Sequence, residues 1–277
     1  MSDAGLEALL RRDKYVVLAA LLALTALAWS YLLWLSGHMA TDGASMGNMA
    51  MGDMAMDGMT MGTAPALTPW AMELMLACIM WTVMMVGMMT PSVAPVALLY
   101  ARVARHAASN GKPFAATGWF AGGYFLAWTG FSVVAAAAQV ALRSLALLTP
   151  TLASANHFVG AAILIVAGAY QWSPLKDACL GQCRAPLAFI QRHGGFKARA
   201  VGSLGLGLRH GLYCIGCCWA FMLLLFVGGV MNILWVAGLA VLVLLEKFPM
   251  QGRFLSRATG SLLIAGGLLL IGRDLVP

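Results

Sequence analysis

The sequence predicts an all-α polytopic transmembrane helical bundle of about seven spans with its amino terminus inside. Three observations predict it. The 277 residues are 61% hydrophobic and only 10% charged, far below the roughly 25% charged residues of a soluble chain. Several apolar runs reach the roughly 20 residues that a bilayer crossing needs. The lysines and arginines gather in alternate connections, the pattern that orients membrane proteins.

The first run, residues 15–35, follows Arg11, Arg12 and Lys14 and carries Trp29, Tyr31 and Trp34. It is long and lacks an A-x-A cleavage site, so it reads as an uncleaved helix rather than a signal peptide. With the tail it makes a first unit, 1–36, followed by a methionine-rich outer loop, 37–68. A membrane domain, 69–277, holds the other runs at 70–99, 116–142, 155–172, 201–229, 232–245 and 258–271. The run at 201–229 is long and glycine-rich at its start, which suits a tilted, kinked or re-entrant path. The run at 232–245 is short. Basic residues fill the amino-terminal tail and the 102–112, 174–199 and 246–257 connections. The 36–68 connection has none and 143–153 has only Arg143. The formal charge of +7 therefore sets orientation, and no nucleic-acid partner is expected.

The outer loop contains "HMATDGASMGNMAMGDMAMDGMTMGT", residues 38–63, with eight methionines, three aspartates and His38. Nothing there nucleates a core, so the loop is expected to be disordered when empty. A thioether selects Cu(I) and stays unprotonated in moderate acid. The spacings of Met46, Met49, Met51, Met54, Met56, Met59 and Met61 let neighbouring sulfurs converge on one ion. His38 and the aspartates add hard donors for Cu(II). Copper capture is the expected role, against unselected low-complexity drift. The next run continues the theme: on a helix Met80, Met84 and Met88 form one stripe, and Met75, Cys78, Met85 and Met89 another. Cys78, Met84, Met85, Met88 and Met89 either line a thioether path inward or simply pack as apolar side chains. Pro91 and Pro95 remove backbone donors and bend this helix. Glu73, near the outer mouth, is an intake ligand or a carboxylate favoured by the helix start.

The densest cluster is "RHGLYCIGCCWAFM", residues 209–222. At about 100° per residue, His210, Cys214, Cys217 and Cys218 fall within an arc of about 100° on one helix face, and Met222 extends the row. One face cannot close a coordination sphere alone. The missing donors are expected either from the methionine run or from Cys179 and Cys183, spaced i and i+4 in the basic 174–199 loop. Thiolates with an imidazole suit Cu(I), with zinc and iron as other possibilities. The same cysteines also fit a redox dithiol at Cys214–Cys217, or small residues in a helix seam beside Gly202, Gly205, Gly207, Gly211 and Gly216. Arg209 is expected to favour the thiolates under either chemical reading. Glu246 and Lys247 read as a boundary ion pair, or Glu246 as a gating carboxylate.

Three segments carry a resemblance: Met84 to Pro95, "SPLKDACLGQCRAP" from Ser173 to Pro186, and "GLYCIGCCW" from Gly211 to Trp219. Met231–Trp235 and Glu246, Lys247 and Pro249 follow in looser form. Together they resemble a bacterial family of uncharacterised polytopic proteins described as predicted metal-binding integral membrane proteins. The resemblance covers about residues 70–272 and implies a membrane location and metal binding. The methionine block lies outside it and tilts the choice of metal toward copper. The expected function is Cu(I) capture and transfer or transport in a bacterial inner membrane, with the metal ion and the bilayer as partners. A copper chaperone or an oxidase is a further possible partner. Two alternatives stand beside it: a membrane thiol–disulfide oxidoreductase using Cys214–Cys217 and Cys179–Cys183, and a copper-loading assembly factor or metallocentre enzyme. No motif for ATP-driven pumping is present.

Overall fold

A computed structural model describes residues 3–49, 69–109, 117–149, 152–154, 156–248 and 252–275. In chain order the helices are α1 (Asp3–Met49), α2 (Pro69–Ser109), α3 (Thr117–Ser144), α4 (His157–Gln171), α5 (Pro174–Arg184), α6 (Pro186–Arg192), α7 (Ala200–Leu223), α8 (Leu225–Gly228), α9 (Ile233–Glu246) and α10 (Gly252–Leu275). Among the described residues the one extended pairing is an isolated bridge between Leu148 and Ser154. The protein is all-helical, as its apolar runs predict.

Each expected run is helical, but not each is a span. Five stretches are long and apolar enough to cross a membrane: Tyr15–His38, Trp70–Arg105, Thr117–Ser144, Ala200–Gly228 and Arg253–Arg273. The 15 residues of α4 rise only about 22 Å, short of an apolar layer of about 30 Å. A bend of 64° joins α4 to α5, and the pair together makes a broken span or a re-entrant loop. The 14 residues of α9 are shorter still. Among the described residues the count by length and composition is five, or six with the bent pair, beside the seven expected.

The break has a local cause. The Ser173 N–H donates back to Tyr170 O (3.0 Å), closing α4 in a tight turn. Ser173 then caps α5, its Oγ accepting from the Leu175 N–H (3.1 Å). Pro174 opens α5, where its missing N–H costs nothing. The 174–199 segment, expected as a loop, is thus largely the two helices α5 and α6. Its polar composition hid helix-start signals at Ser173–Pro174 and at Pro186. A second correction concerns α1, which continues through Met49 instead of giving way to irregular chain at 37. Extending an existing helix adds one hydrogen bond per residue without a new nucleus.

Helices α2 and α3 run antiparallel. At one end the Trp81 Nε1–H donates to Gln139 Oε1 (2.7 Å); at the other Tyr100 stacks on Phe120 with centroids 5.2 Å apart. Helix α3 in turn packs closely on α7. Gly207 lies against the Phe120 carbonyl, and Gly211 against Ala127 and the Tyr124 backbone. A methyl group at either glycine would overlap backbone atoms, so these positions fix how near the helices lie. Of the glycines expected in a seam of α7, Gly207 and Gly211 face α3, whereas Gly216 faces Cys179 of α5, Gly202 faces Lys197 and Gly205 has open space beside it.

Candidate metal centre

The cysteines of α7 are buried: Cys214 is 1% exposed, Cys217 2% and Cys218 2%. Their partner comes from α5. The sulfurs of Cys183, Cys214 and Cys217 all lie within 4.8 Å of one another, with Cys183 Sγ and Cys217 Sγ 4.0 Å apart. The bend at Ser173–Pro174 aims α5 along α7 and makes this meeting possible. Of the two expected sources of extra donors, the Cys179/Cys183 segment supplies the sulfur.

The surrounding hydrogen bonds hold the thiols in place. Cys217 Sγ and Cys218 Sγ both donate to Cys214 O, at 3.1 Å and 2.9 Å. Lys247 Nζ donates to Cys214 Sγ at 3.1 Å, and the Tyr124 hydroxyl lies 3.1 Å from the same sulfur. Tyr124 also reaches Met89 O at 3.4 Å, so one hydroxyl touches both the methionine helix and the cysteine cluster. The cation beside the thiols is therefore Lys247, and exposed Arg209 lies on the other side of α7. The expected Glu246–Lys247 ion pair does not form. Glu246 turns instead to Lys176 on α5, with Nζ and Oε2 2.6 Å apart and the two side chains 0% and 2% exposed.

This buried pair anchors α5. Lys176 also donates to Gln171 and lies 4.5 Å over the Phe221 ring. The Ser256 hydroxyl donates to Glu246 Oε1 (3.0 Å), and Arg184 donates to Glu246 O through Nη2 (2.6 Å). Side chains from α4, α5, α7, α9 and α10 meet here, and Arg184 is the neighbour of Cys183. The sequence signal for it was Lys176 inside the same short segment as the two cysteines.

The other expected site residues are distributed as follows. His210 is 2% exposed and stands apart from the three-sulfur group. It is enclosed by Phe120, Tyr124 and Phe189, with ring centroids 5.9, 5.8 and 5.0 Å away. Its Nδ1 has no hydrogen-bond partner among the described residues. Cys218, whose thiol donates to Cys214 O as that of Cys217 does, is not among the three sulfurs that converge. Cys179 is half-buried, its sulfur against Gly216 of α7. Met222, Met84, Met85, Met88 and Met89 are all buried in the main hydrophobic cluster, and Cys78 packs against it. His38, Met46 and Met49 lie on the carboxyl-terminal part of α1, with His38 Nδ1 2.9 Å from Trp34 O. Met51, Met54, Met56, Met59 and Met61 lie outside the described residues.

Glu73 lines a cavity of about 480 Å³ with Met72, Met80, Gln139 and Arg143. Its Oε1 lies 3.0 Å from Arg143 Nη1, close but off the direction of a hydrogen bond. Glu73 is thus an ion-pair partner at a cavity mouth, one turn beyond the start of α2.

What this arrangement can do is bind a soft ion. Three sulfurs from two helices, two of them buried and that of Cys183 half-buried, with a lysine beside one of them and no hard donor among them, match thiolate-selected metals. A family model described as PpoB2, copper chaperone, matches residues 78–270, a span that contains α5, α7 and the buried methionines of α2. No curated protein and no solved structure matches the chain.

Proposed function

The chain belongs to the PpoB2 copper chaperone family, and from that premise we propose that it is a membrane copper-handling protein whose cargo, Cu(I), is held by Cys183, Cys214 and Cys217. The observation that carries this reading is the convergence of the three sulfurs within 4.8 Å. A metal–thiolate bond of about 2.3 Å in a trigonal plane places sulfurs about 4.0 Å apart, the separation found between Cys183 and Cys217. Little rearrangement is needed to close the site. The thiols lose their protons as the metal binds, and the hydrogen bond from Cys217 to Cys214 O is given up for a metal bond. A thiol–disulfide exchange centre fits less well. Its nucleophile needs to meet a partner, and Cys214 and Cys217 are almost wholly enclosed.

A route to this site runs along α2. The methionine block at 38–63 collects Cu(I), the cavity beside Glu73 receives it, and Met84, Met85, Met88 and Met89 carry it inward. Tyr124, in contact with Met89 O and Cys214 Sγ, marks where thioether gives way to thiolate. The basic connections face the cytoplasm, so the route runs inward across a bacterial inner membrane. Cytoplasmic release hands the ion to a chaperone or an oxidase.

The test uses the full chain in detergent micelles, loaded anaerobically with Cu(I). Mass spectrometry should find one copper per chain, and X-ray absorption should find sulfur neighbours alone at about 2.3 Å. Retention of the same copper by a Cys183→Ser, Cys214→Ser, Cys217→Ser triple variant would sink the proposal.

A further inference from the structure

Side chains of α5 and α7 line a cavity that the copper site itself does not use. It measures about 430 Å³ and is lined by Cys179, His193, Arg209, Leu212 and Tyr213. A second cavity of about 260 Å³ shares His193 and Arg209 with it and extends to Lys197. Together they make a groove with cationic walls. Among the described residues no carboxylate lines either part, and neither ion pair involves Arg209 or Lys197. His193 is half-buried, with Nδ1 2.8 Å from Phe189 O and its ring 5.9 Å from Tyr213. Cys179 has two faces. One lines the groove; on the other its sulfur abuts Gly216, the residue before Cys217.

We propose that this groove binds a small anionic thiol carrying Cu(I), and that Cys179 exchanges the ion between that carrier and Cys183 and Cys217. The proposal rests on the copper reading above and names the partner of the same site. A free cation would be repelled by Arg209 and Lys197, whereas a carboxylate-bearing thiolate complex is attracted by them. The cavity suits a ligand of a few residues in size. Exchange is redox-neutral and balances. The Cu–S bond to the carrier breaks as a Cu–S bond to Cys179 forms, and the Cys179 proton leaves with the carrier thiolate as a free thiol. A second exchange passes the ion to Cys217 and returns a proton to Cys179. The bare Cα of Gly216 leaves Cys179 the space to lean against α7, since a methyl group there would lie 2.7 Å from its sulfur.

The experiment measures the rate of copper uptake by the full chain in detergent, from two donors. One is Cu(I) bound to glutathione, which is anionic; the other is Cu(I) bound to 2-mercaptoethanol, which carries no carboxylate. Arg209→Gln should slow uptake from the first about tenfold and leave the second unchanged, with the same copper content at equilibrium. Cys179→Ser should slow uptake from both. Equal slowing from both donors by Arg209→Gln would assign the arginine to the fold or to a lipid headgroup and overturn the carrier site. Unchanged rates in Cys179→Ser, or loss of the equilibrium copper, would overturn the relay. A wild-type chain that retains no Cu(I) would overturn the trithiolate site and the carrier with it. Normal retention with donor-independent rates would overturn the groove alone.

Discussion

The two ends of the molecule offer sulfur in different electrostatic settings. At the Glu73 end the donors are thioethers, Met72 and Met80, and the nearby ion pair is open to solvent, with Arg143 55% and Glu73 36% exposed. At the Cys183–Cys214–Cys217 end the donors are thiols, and the charges around them are enclosed. Lys247 touches Cys214, and Lys176 and Glu246 neutralise each other at 0% and 2% exposure. The difference teaches that softness alone does not set the design. A thioether complex keeps the single charge of Cu(I) and needs no counter-ion. A trithiolate complex is anionic, and a low-dielectric interior tolerates it only with a cation built in beside it. On the proposed route, copper would exchange neutral, weakly holding ligands at one end for charged, strongly holding ones at the other.

Six substitutions break or sharpen that contrast. The largest effect is expected from Glu246→Ala, which strands Lys176 without its partner. Losing one member of a buried pair costs about 3–5 kcal/mol, and thermal unfolding in detergent should show it with or without copper. Cys217→Ser comes next. Competition against a chromogenic Cu(I) chelator should show a fall in affinity beyond the about 100-fold that loss of an outer-shell partner costs, while Met80→Leu leaves that affinity unchanged. Lys247→Met should weaken binding about tenfold, and Lys247→Arg should restore most of it; an unchanged affinity would remove Lys247 from the site's charge balance. The smallest effect belongs to Glu73→Gln. The Glu73–Arg143 pair is exposed and contributes under about 1 kcal/mol, so the unfolding temperature should not move measurably.

Much of this was legible in the sequence. Each expected apolar run is helical, because length and hydropathy report a helix whatever its neighbours are. The cysteine face of α7 was legible from spacing alone, since Cys214 and Cys217 lie one turn apart on a single helix. The third sulfur was legible only as a candidate. Cys183 reaches Cys217 across 34 positions of chain, and although Ser173–Pro174 announces a helix start, it does not give the 64° angle that directs α5. The charged residues were read least well. Lys176 sits in a polar segment that looks solvated, yet it is wholly enclosed because its partner, 70 positions away, is equally hidden. Glu246 and Lys247 look like a pair by adjacency, but consecutive residues on a helix point about 100° apart. They accordingly serve two neighbours, Lys176 and Cys214. His210 shares the cysteine arc, and its aromatic enclosure by α3 and α6 follows from tertiary packing that spacing does not encode.

The bracing of α5 by Glu246 also has a consequence for the order of events in biosynthesis. Chains fold from the amino terminus as they emerge, and Cys183, Cys214 and Cys217 are made before Glu246, Lys247 and Ser256. Until α9 and α10 arrive, α5 has no buried carboxylate to hold it and Cys214 has no cation beside it. A half-made chain therefore carries loose thiols but no preset trio. For the copper site proposed above, tight retention becomes available only when the last two helices have docked, so a half-made chain would not keep the cargo.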